Sequence, residues 1–343
     1  MILPAMARRV TIGDVAAEAG VSVATVSKVI NDRYGVAENT SARVRAVIEN
    51  LGYEASLVGQ SLRSKRTNVI GVLVVEIEPF SAELLKGVAR GIRGSGYELI
   101  VFSRGAMDSD QVGWERRYLS RISGTLTDGA ILVTPSSVDQ TFGAPVVAVD
   151  HNARSSTLPT VDSDNLNGAV AATEHLLSLG HRRIAFLAGR PDLESARLRE
   201  RGYRQALEAA GIPVEEELIR VGGYRADTAT EPARELLELD PRPSAIFAAN
   251  DMTALETMAV AQSMGLTVPG DISIIGFDNV PESALAEPPL TTIEQPLHEM
   301  GAEAVRLVID LIDNPSGPPA RIVLPTRLVV RQSCRALEDG PKR

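Results

Sequence analysis

Four short polar side chains lie close together near the amino terminus, at a spacing that places them on one predicted helix. They are Ser22, Thr25, Ser27 and Asn31. Hydroxyl and amide groups of this size can hydrogen-bond phosphate oxygens, above all where a helix begins and its amides are free. Such contacts fix the register of a protein on a nucleic acid backbone without reading the bases.

Two short helices joined by a tight turn must position these residues. Thr11 is predicted to cap the first helix, with Asp14 reaching back to it. Gly20 can adopt the left-handed conformation that ends a helix, and Ser22 would cap the next one. The predicted inner face of that second helix is Val26, Val29 and Ile30, and its outer face is Val23, Ala24, Ser27 and Lys28. The pattern matches a helix-turn-helix that reads DNA, although a helical hairpin with no partner has the same spacing.

A third helix is predicted over residues 38–51, with Gly52 as its stop, and would complete a three-helix headpiece. Ala37 precedes this helix and offers no side-chain cap.

Net charge distinguishes this region from the rest of the chain. Residues 1–66 carry a net charge of +3 and the remaining residues carry −12, which together give the overall net charge of −9. A basic segment on an acidic body fits a module that faces phosphate and a body that avoids it.

From Asn68 onward, short apolar strands alternate with helices. The strands are predicted at residues 69–75, 98–102, 130–133, 146–149, 184–188, 218–221, 245–249 and 272–276. Their nearly continuous apolar character indicates parallel sheets covered by helices on both faces. The predicted fold class is therefore α/β, with a helical headpiece followed by two doubly wound lobes. Ligands bind such sheets beyond the carboxyl ends of the strands.

The string Asp-Val-Ala-x-x-Ala-Gly-Val-Ser-x-x-Thr-Val-Ser-x-x-Ile-Asn, at residues 14–31, resembles the headpiece of the lactose-repressor (LacI/GalR) family of bacterial transcription regulators. The resemblance implies that Val23, Ala24 and Lys28 read base edges. It also implies a periplasmic-binding-protein-like core. Residues 276–279 and 288–293, Gly-Phe-Asp-Asn and Pro-Pro-Leu-Thr-Thr-Ile, are further motifs of the family.

Residues 53–62 resemble the family's hinge, which forms a helix on operator DNA and inserts a leucine into the minor groove. Leu62 matches that leucine. Ala55 and Gly59 replace the usual proline and alanine, and glycine inside a helix costs about 1 kcal/mol, so we expect the hinge to be disordered away from DNA. A plain flexible linker is the alternative. The complete predicted DNA-binding set is Thr11, Ser22, Val23, Ala24, Thr25, Ser27, Lys28, Asn31, Tyr53 and Leu62.

The same resemblance implies an effector-binding set between the two lobes: Phe80, Asp150, Arg199, Tyr224, Asn250 and Asp278. Arg199 matches the family's effector-binding arginine, and the other five fall at or just after strand ends. Carboxylate and amide oxygens accept from hydroxyls, arginine donates, and an aromatic ring covers a C–H face, which suits a mono- or oligosaccharide. The alternatives are turn caps for Asp150, Asn250 and Asp278, and a core position for Phe80. A purine or nucleoside corepressor is the alternative ligand.

The resemblance spans about residues 8–333 and divides them into a headpiece at 8–53, a hinge at 54–66 and an effector-binding and dimerisation core at 67–333. The first lobe is expected at about 67–161 plus 291–320, and the second at about 162–290 plus 321–333. The implied protein is a homodimeric, sugar-responsive repressor of a pseudo-palindromic double-stranded operator. Effector binding would close the cleft and weaken the hold on DNA.

Other function classes lack their sequence signals. No Gly-x-Gly-x-x-Gly follows a strand, there is no phosphate loop or Gly-x-Ser-x-Gly elbow, and the four histidines lack metal-ligand spacing. We therefore expect no catalytic activity, cofactor or metal, with an α/β sugar-handling enzyme as the alternative class. The single cysteine, Cys334, excludes an intrachain disulfide. With no predicted export signal or membrane span, we expect a cytoplasmic protein.

Overall fold

The change from helices alone to alternating strands and helices divides the chain into two units, Met1–Thr67 and Asn68–Arg343. The computed structural model describes residues 10–30, 33–53, 66–104, 114–124, 126–135, 144–151, 158–315 and 319–337.

The described residues of the first unit form three helices: α1 (Ile12–Glu18), α2 (Val23–Ile30) and α3 (Glu38–Leu51). Their apolar stripes meet in a small core in which Val15, Val26 and Val44 are fully buried. The predicted stops are confirmed, because Gly20 and Gly52 adopt left-handed conformations with φ of 63° and 59°. As predicted, no side chain caps the start of α3.

Two six-stranded sheets form the second unit, which confirms the two doubly wound lobes. The strands are β1 (Val69–Val74), β2 (Glu98–Ser103), β3 (Gly129–Val133), β4 (Val146–Val149), β5 (Thr160–Ser163), β6 (Ile184–Ala188), β7 (Ile219–Val221), β8 (Ala245–Ala248), β9 (Ser273–Asp278), β10 (Thr291–Glu294), β11 (Arg321–Leu324) and β12 (Arg327–Val329). The first sheet has the order β11-β5-β4-β3-β1-β2, and the second has the order β12-β10-β9-β8-β6-β7. All pairs are parallel except β10 with β12.

Helices cover both faces of each sheet. They are α4 (Pro79–Gly91), α5 (Trp114–Ile122), α6 (Asn165–Ser178), α7 (Glu194–Ala209), α8 (Ala226–Glu238), α9 (Asp251–Ser263), α10 (Pro281–Leu285) and α11 (Leu297–Asp313). In the first lobe, Leu84 of α4 and Met300 of α11 join one core, and Leu119 of α5 joins the core on the other face. In the second lobe, α8 and α9 cover one face, and α6 and α7 cover the other.

The carboxyl-terminal crossings between lobes correct two expectations. Residues 291–294 were expected in the first lobe, but they form β10 of the second sheet; residues 321–324 were expected in the second lobe, but they form β11 of the first sheet. The carboxyl end of each parallel strand lies at the cleft, so the chain completes the strand before it crosses to the other lobe. The chain then re-enters the second lobe from the cleft side, which makes β12 antiparallel.

Strand β5 was not predicted, because Thr160, Asp162 and Ser163 give it a polar composition. All four of its residues are nevertheless buried between β4 and β11. Within the ranges given above, no helix combines the length and the apolar character needed to cross a membrane.

Candidate functional site

The start of α1 is a reciprocal cap, as predicted. The Thr11 hydroxyl donates to Asp14 Oδ2 at 2.7 Å, and the Asp14 amide donates back to Thr11 Oγ1 at 3.3 Å. Ser22 caps α2 by accepting from the amide of Thr25 at 3.2 Å. The turn of the predicted helix-turn-helix is therefore held by side chains as well as by Gly20.

The outer face of α2 presents the predicted base-reading side chains. Val23 is 43% exposed, and Ala24 and Lys28 are also exposed. Thr25 and Ser27 are partly buried, whereas Tyr53 packs against the small core of this unit. Two further predicted contacts, Asn31 and Leu62, lie outside the described residues. The face combines a positive charge with small apolar and hydroxyl groups.

In the second unit, a cavity of about 790 Å³ lies between the lobes, and part of this volume is open to solvent. All six predicted effector residues line it: Phe80, Asp150, Arg199, Tyr224, Asn250 and Asp278. They come from six different segments, which the strand order brings to the facing carboxyl edges of the two sheets. This geometry places the predicted residues together at the strand ends, where α/β folds of this kind bind their ligands.

Arg199 projects from α7 and is only 3% exposed. Its Nε donates to Asn165 Oδ1 at 2.8 Å, and its Nη1 donates to the carbonyl of Ala249 at 2.5 Å and lies 3.5 Å from Asp278 Oδ1. The guanidinium carbon lies 3.8 Å from the ring centroid of Phe277. In the described part of the chain, Nη2 makes no hydrogen bond, so it can donate into the cavity.

Two buried carboxylates face the cavity from opposite lobes. Asp278 accepts from Gln295 Nε2 at 2.6 Å, and Asp150 accepts from the Ser195 hydroxyl at 3.2 Å. Burial raises the pKa of Asp150, and it raises the pKa of Asp278 well above its usual value; Arg199 opposes both shifts. Negative charge in this cavity is therefore poorly solvated.

Tyr224 reaches the cavity across Gly189, where a Cβ atom would lie only 2.2 Å from the tyrosine ring. Burial raises the pKa of Tyr224 to about 12, so its hydroxyl is protonated at neutral pH. This hydroxyl is buried beside the Ser195 side chain, but it makes no hydrogen bond of normal geometry inside the described part of the chain. A buried hydroxyl in this condition favours a ligand that completes its bonding.

Backbone strain also gathers at this cavity. Thr134, Asp150, Tyr224 and Asp278 have φ of 47°, 51°, 72° and 120°, values that residues with side chains rarely adopt. All four line the cavity. Such strain persists where surrounding structure holds a functional geometry in place.

The alternative roles foreseen for two residues are present. Asn250 caps α9 by accepting from the amide of Thr253 at 3.0 Å, while its Nδ2 donates to the carbonyl of Tyr224. Phe80 packs partly against the first-lobe core and also lines the cavity. The Glu78 carboxylate accepts from the amides of Phe80 and Ser81, both at 2.8 Å, and thereby fixes the loop that carries the aromatic ring.

The polar lining residues outside the predicted set include Glu76, Thr134, Arg190 and Arg225. Each follows the carboxyl end of a strand by one to four positions, so the strand-end rule contains the signal that could have found them. Arg225 Nη1 donates to Glu76 Oε2 at 2.6 Å and so joins the two lobes at the cavity. No cluster of three or more potential metal ligands occurs in the part of the chain that the structure covers.

Two family profiles match the chain. Residues 11–56 match "Bacterial regulatory proteins, lacI family", and residues 173–334 match "Periplasmic binding protein-like domain". The first match contains the reciprocal cap and α2, and the second contains most of the second lobe.

Similar proteins match along almost the whole chain. The transcriptional regulator CelR of Thermobifida fusca is 34% identical over 345 residues, covering 95% of this chain and 98% of that protein. Catabolite control protein A of Priestia megaterium is 36% identical over 334 residues, covering 95% and 99%.

Solved structures agree with these matches. A CelR–cellobiose complex has a TM-score of 0.71 and 33% identity, covering 95% of this chain and all of that one. The lac repressor dimer bound to operator and the anti-inducer ONPF has a TM-score of 0.82 and 28% identity, covering 96% of this chain and all of that one. The chain belongs to the LacI family of bacterial transcriptional regulators, not to a family of enzymes.

Proposed function

We propose that this regulator is a homodimeric repressor whose affinity for operator DNA is changed by a saccharide bound between the lobes of its core. The observation that carries the proposal is the single cavity lined by all six predicted effector residues. A similar regulator, CelR, has been solved in complex with cellobiose, which supports a saccharide as the ligand.

The polar groups that face the cavity suit sugar hydroxyls. Arg199 Nη2 donates, the Asp150 carboxylate accepts, and the Tyr224 hydroxyl can do both. Phe80 offers an aromatic surface to the C–H face of a sugar ring. Each role is proposed for these side chains.

For DNA binding, we assign base contacts to the exposed side chains of α2. Lys28 can donate to guanine acceptors, whereas Val23 and Ala24 can contact a thymine methyl group. Ser22, Thr25, Ser27 and Asn31 would bind phosphates, with Thr11 and Tyr53 beside them and Leu62 in the minor groove. A dimer would present two such headpieces to a pseudo-palindromic site, in line with the lac repressor dimer on its operator.

Ligand binding would act on DNA affinity by favouring the closed cleft. A ligand shifts such an equilibrium only by its difference in affinity for the two states. Cleft closure in a dimer would change the relation of the two first lobes and so alter the segment at 54–66 that leads to the headpiece. This coupling is reciprocal, so operator DNA would weaken the binding of an inducer by the same factor.

The ligand proposal is tested by thermal denaturation of the full chain with pentoses, hexoses, cellobiose and other disaccharides, purines and nucleosides. A bound ligand stabilises the folded state by mass action. We expect a saccharide to raise the melting temperature of the wild type and of Arg197→Ala, but not that of Arg199→Ala. Arg197 lies on the same helix, and its Nε bonds Glu194 at 2.8 Å. Stabilisation by a purine alone would instead assign the corepressor type of ligand. If none of these compounds raises the melting temperature, both the saccharide and the purine assignments are contradicted.

The DNA proposal is tested by selecting duplexes from a random pool with the full chain. We expect a pseudo-palindromic consensus from the wild type. Lys28→Ala should relax the preference at one position per half-site, at a cost of about 1–3 kcal/mol in binding. Arg43→Ala removes an exposed charge from α3 and should leave the consensus unchanged. An unchanged consensus for Lys28→Ala would contradict the assignment of α2.

A further inference from the structure

The three arginines that line the cavity already have acidic partners. Arg190 pairs with Asp192 at 2.6 Å, Arg225 pairs with Asp227 at 2.9 Å and with Glu76 at 2.6 Å, and Arg199 lies 3.5 Å from Asp278. Two of these pairs are two-pronged, because Arg190 and Arg225 each use two nitrogens on one carboxylate. The cavity therefore has no arginine whose charge is left uncompensated.

Two carboxylates at the same cavity form no ion pair with a described residue, although the charge of Arg199 acts on Asp150 and lowers its pKa against the effect of burial. Asp150 is 8% exposed and accepts from the Ser195 hydroxyl. Glu78 is partly buried and accepts from the amides of Phe80 and Ser81 and from no charged side chain in the described ranges. The balance of uncompensated charge facing a ligand is negative.

The acid–base properties of the wall show separately that negative charge is poorly solvated at this cavity. Burial raises the pKa of Glu78, Asp150, Asp278 and Tyr224; Arg199 opposes the shift at Asp150, Asp278 and Tyr224 but does not overcome it. Each of these groups gains a negative charge less readily than it would in water. A ligand with an anionic group would meet the same surroundings.

We propose that the cavity takes a neutral, polyhydroxylated ligand and excludes phosphorylated and carboxylated sugars of the same size. This inference rests on the saccharide ligand proposed above and narrows its class.

The reason lies in what each ligand group would meet. A sugar hydroxyl can donate to Asp150 and accept from Arg199 Nη2, so both protein groups are satisfied without a new charge. A phosphate would lose its hydration and lie near Asp150 and Glu78. Arg199 Nη2 could donate to it, but the charge of every arginine at the cavity is already shared with a carboxylate. An anionic ligand would therefore lose its hydration without gaining a contact with a cation that has no carboxylate partner.

The test compares neutral and anionic members of matched pairs by calorimetry with the full chain at pH 8. The pairs are glucose with glucose 6-phosphate and cellobiose with cellobionate, and inorganic phosphate is the anion alone. We expect at least one neutral member to bind, and its anionic counterpart to bind at least tenfold more weakly. Inorganic phosphate should cause no shift in melting temperature that depends on Arg199.

Two variants change the balance of charge in different ways. Asp150→Asn should weaken the neutral ligand about tenfold while weakening the anionic ligand less, because it removes both an acceptor and a repelling charge. Asp192→Asn frees Arg190 from its partner, so it should improve anion binding severalfold and alter neutral binding by less than threefold. Glu208→Gln makes a similar charge change on an exposed residue of α7 and should not alter the ratio.

An anionic sugar that binds as tightly as its neutral partner would overturn this inference and leave the proposed saccharide control intact. Arg199-dependent binding of inorganic phosphate would overturn it in the same way. If no carbohydrate of either charge binds, the saccharide proposal fails and this inference fails with it.

Discussion

The two lobes face each other across the cavity with walls that are held in different ways. In the second lobe, Arg199 is fixed by Asn165, Ala249 and Asp278 of its own lobe, at distances of 2.8, 2.5 and 3.5 Å. In the first lobe, Asp150 and Glu76 take their partners, Ser195 and Arg225, from across the cleft.

This difference indicates which half of the site exists before the cleft closes. The second-lobe wall keeps its hydrogen bonds when the lobes separate, so it is organised in advance for a ligand. Opening the cleft removes the partners of Asp150 and Glu76. A ligand that replaces these cross-lobe contacts would therefore act on the equilibrium between open and closed states.

The largest effect is expected from Arg199→Lys, which keeps the charge but loses the planar fork. Lysine cannot satisfy Asn165, Ala249 and Asp278 together, so we expect ligand affinity to fall about 100-fold, equivalent to about 3 kcal/mol. Arg190→Lys is the control, since Arg190 also lines the cavity but is held only by Asp192 among the described residues. It should change affinity less than fivefold in the same titration. Equal losses for the two variants would mean that the second-lobe wall is not organised around Arg199.

Gly189→Ala tests the second-lobe wall without changing its charge. The added methyl group would lie 2.2 Å from the Tyr224 ring, so the ring must move. Overpacking of this kind costs about 1–3 kcal/mol, and we expect a comparable loss of unfolding free energy together with about tenfold weaker ligand binding. Gly13→Ala is the control, because its nearest contact would be an ordinary 3.5 Å. Unchanged ligand affinity in Gly189→Ala would show that the position of Tyr224 does not matter for binding.

In the first-lobe wall, Phe80→Leu should have a smaller effect. The ring is partly buried in the core and partly in the cavity, so leucine keeps most of its packing but loses the flat surface. We expect about fivefold weaker binding of the ligand, or about 1 kcal/mol. Phe102→Leu makes the same change in the first lobe at a residue that does not line the cavity, and it should leave affinity unchanged. A larger loss for Phe80→Leu than for Arg199→Lys would reverse the comparison between the lobes.

The first-lobe wall should also respond to pH through His151, which follows Asp150. A hydrogen bond from His151 Nδ1 to Asp162 at 3.0 Å raises the pKa of His151 in the folded protein. The stabilisation is fully present below the ordinary pKa of about 6.5 and is lost as pH rises through the raised value. Urea unfolding of the wild type and His151→Gln should therefore differ more at pH 6 than at pH 9. A difference that grows with rising pH would contradict this sign.

Much of the fold could be predicted because it follows from local patterns. The caps at Thr11 and Ser22, the stop at Gly52 and the apolar strands all depend on neighbours within a few residues. Strand β5 and the placement of β10 and β11 could not be predicted, since they depend on which sheet edge the chain reaches.

The residues that line the cavity likewise divide into those that the sequence predicts and those that it does not. The residues directly at strand ends, such as Asp150 and Asp278, were predicted as ligand contacts from their position and the family resemblance, and they line the cavity. Arg190 and Arg225 also follow strand ends and line the cavity, but they were not predicted. Their pairing with Asp192 and Asp227 depends on side-chain geometry that spacing does not report. The dual position of Asn250, as a helix cap that also lines the cavity, likewise requires the three-dimensional arrangement.

The smallest effect is expected at the ion pair that joins the lobes, Glu76 with Arg225. Both side chains are substantially exposed, at 41% and 52%, and such pairs contribute about 0–1 kcal/mol and are screened by salt. Glu76→Gln should therefore weaken ligand binding by at most about fivefold at low ionic strength and by less at high ionic strength. Glu303→Gln is the control, because Glu303 pairs with Arg306 at 2.8 Å within α11 and does not join the lobes. If both variants show the affinity and the salt dependence of the wild type, cleft closure does not depend on the ion pair of Glu76 with Arg225. The hydrogen bond between Asp150 and Ser195 is then the polar contact across the cavity that a ligand would have to replace.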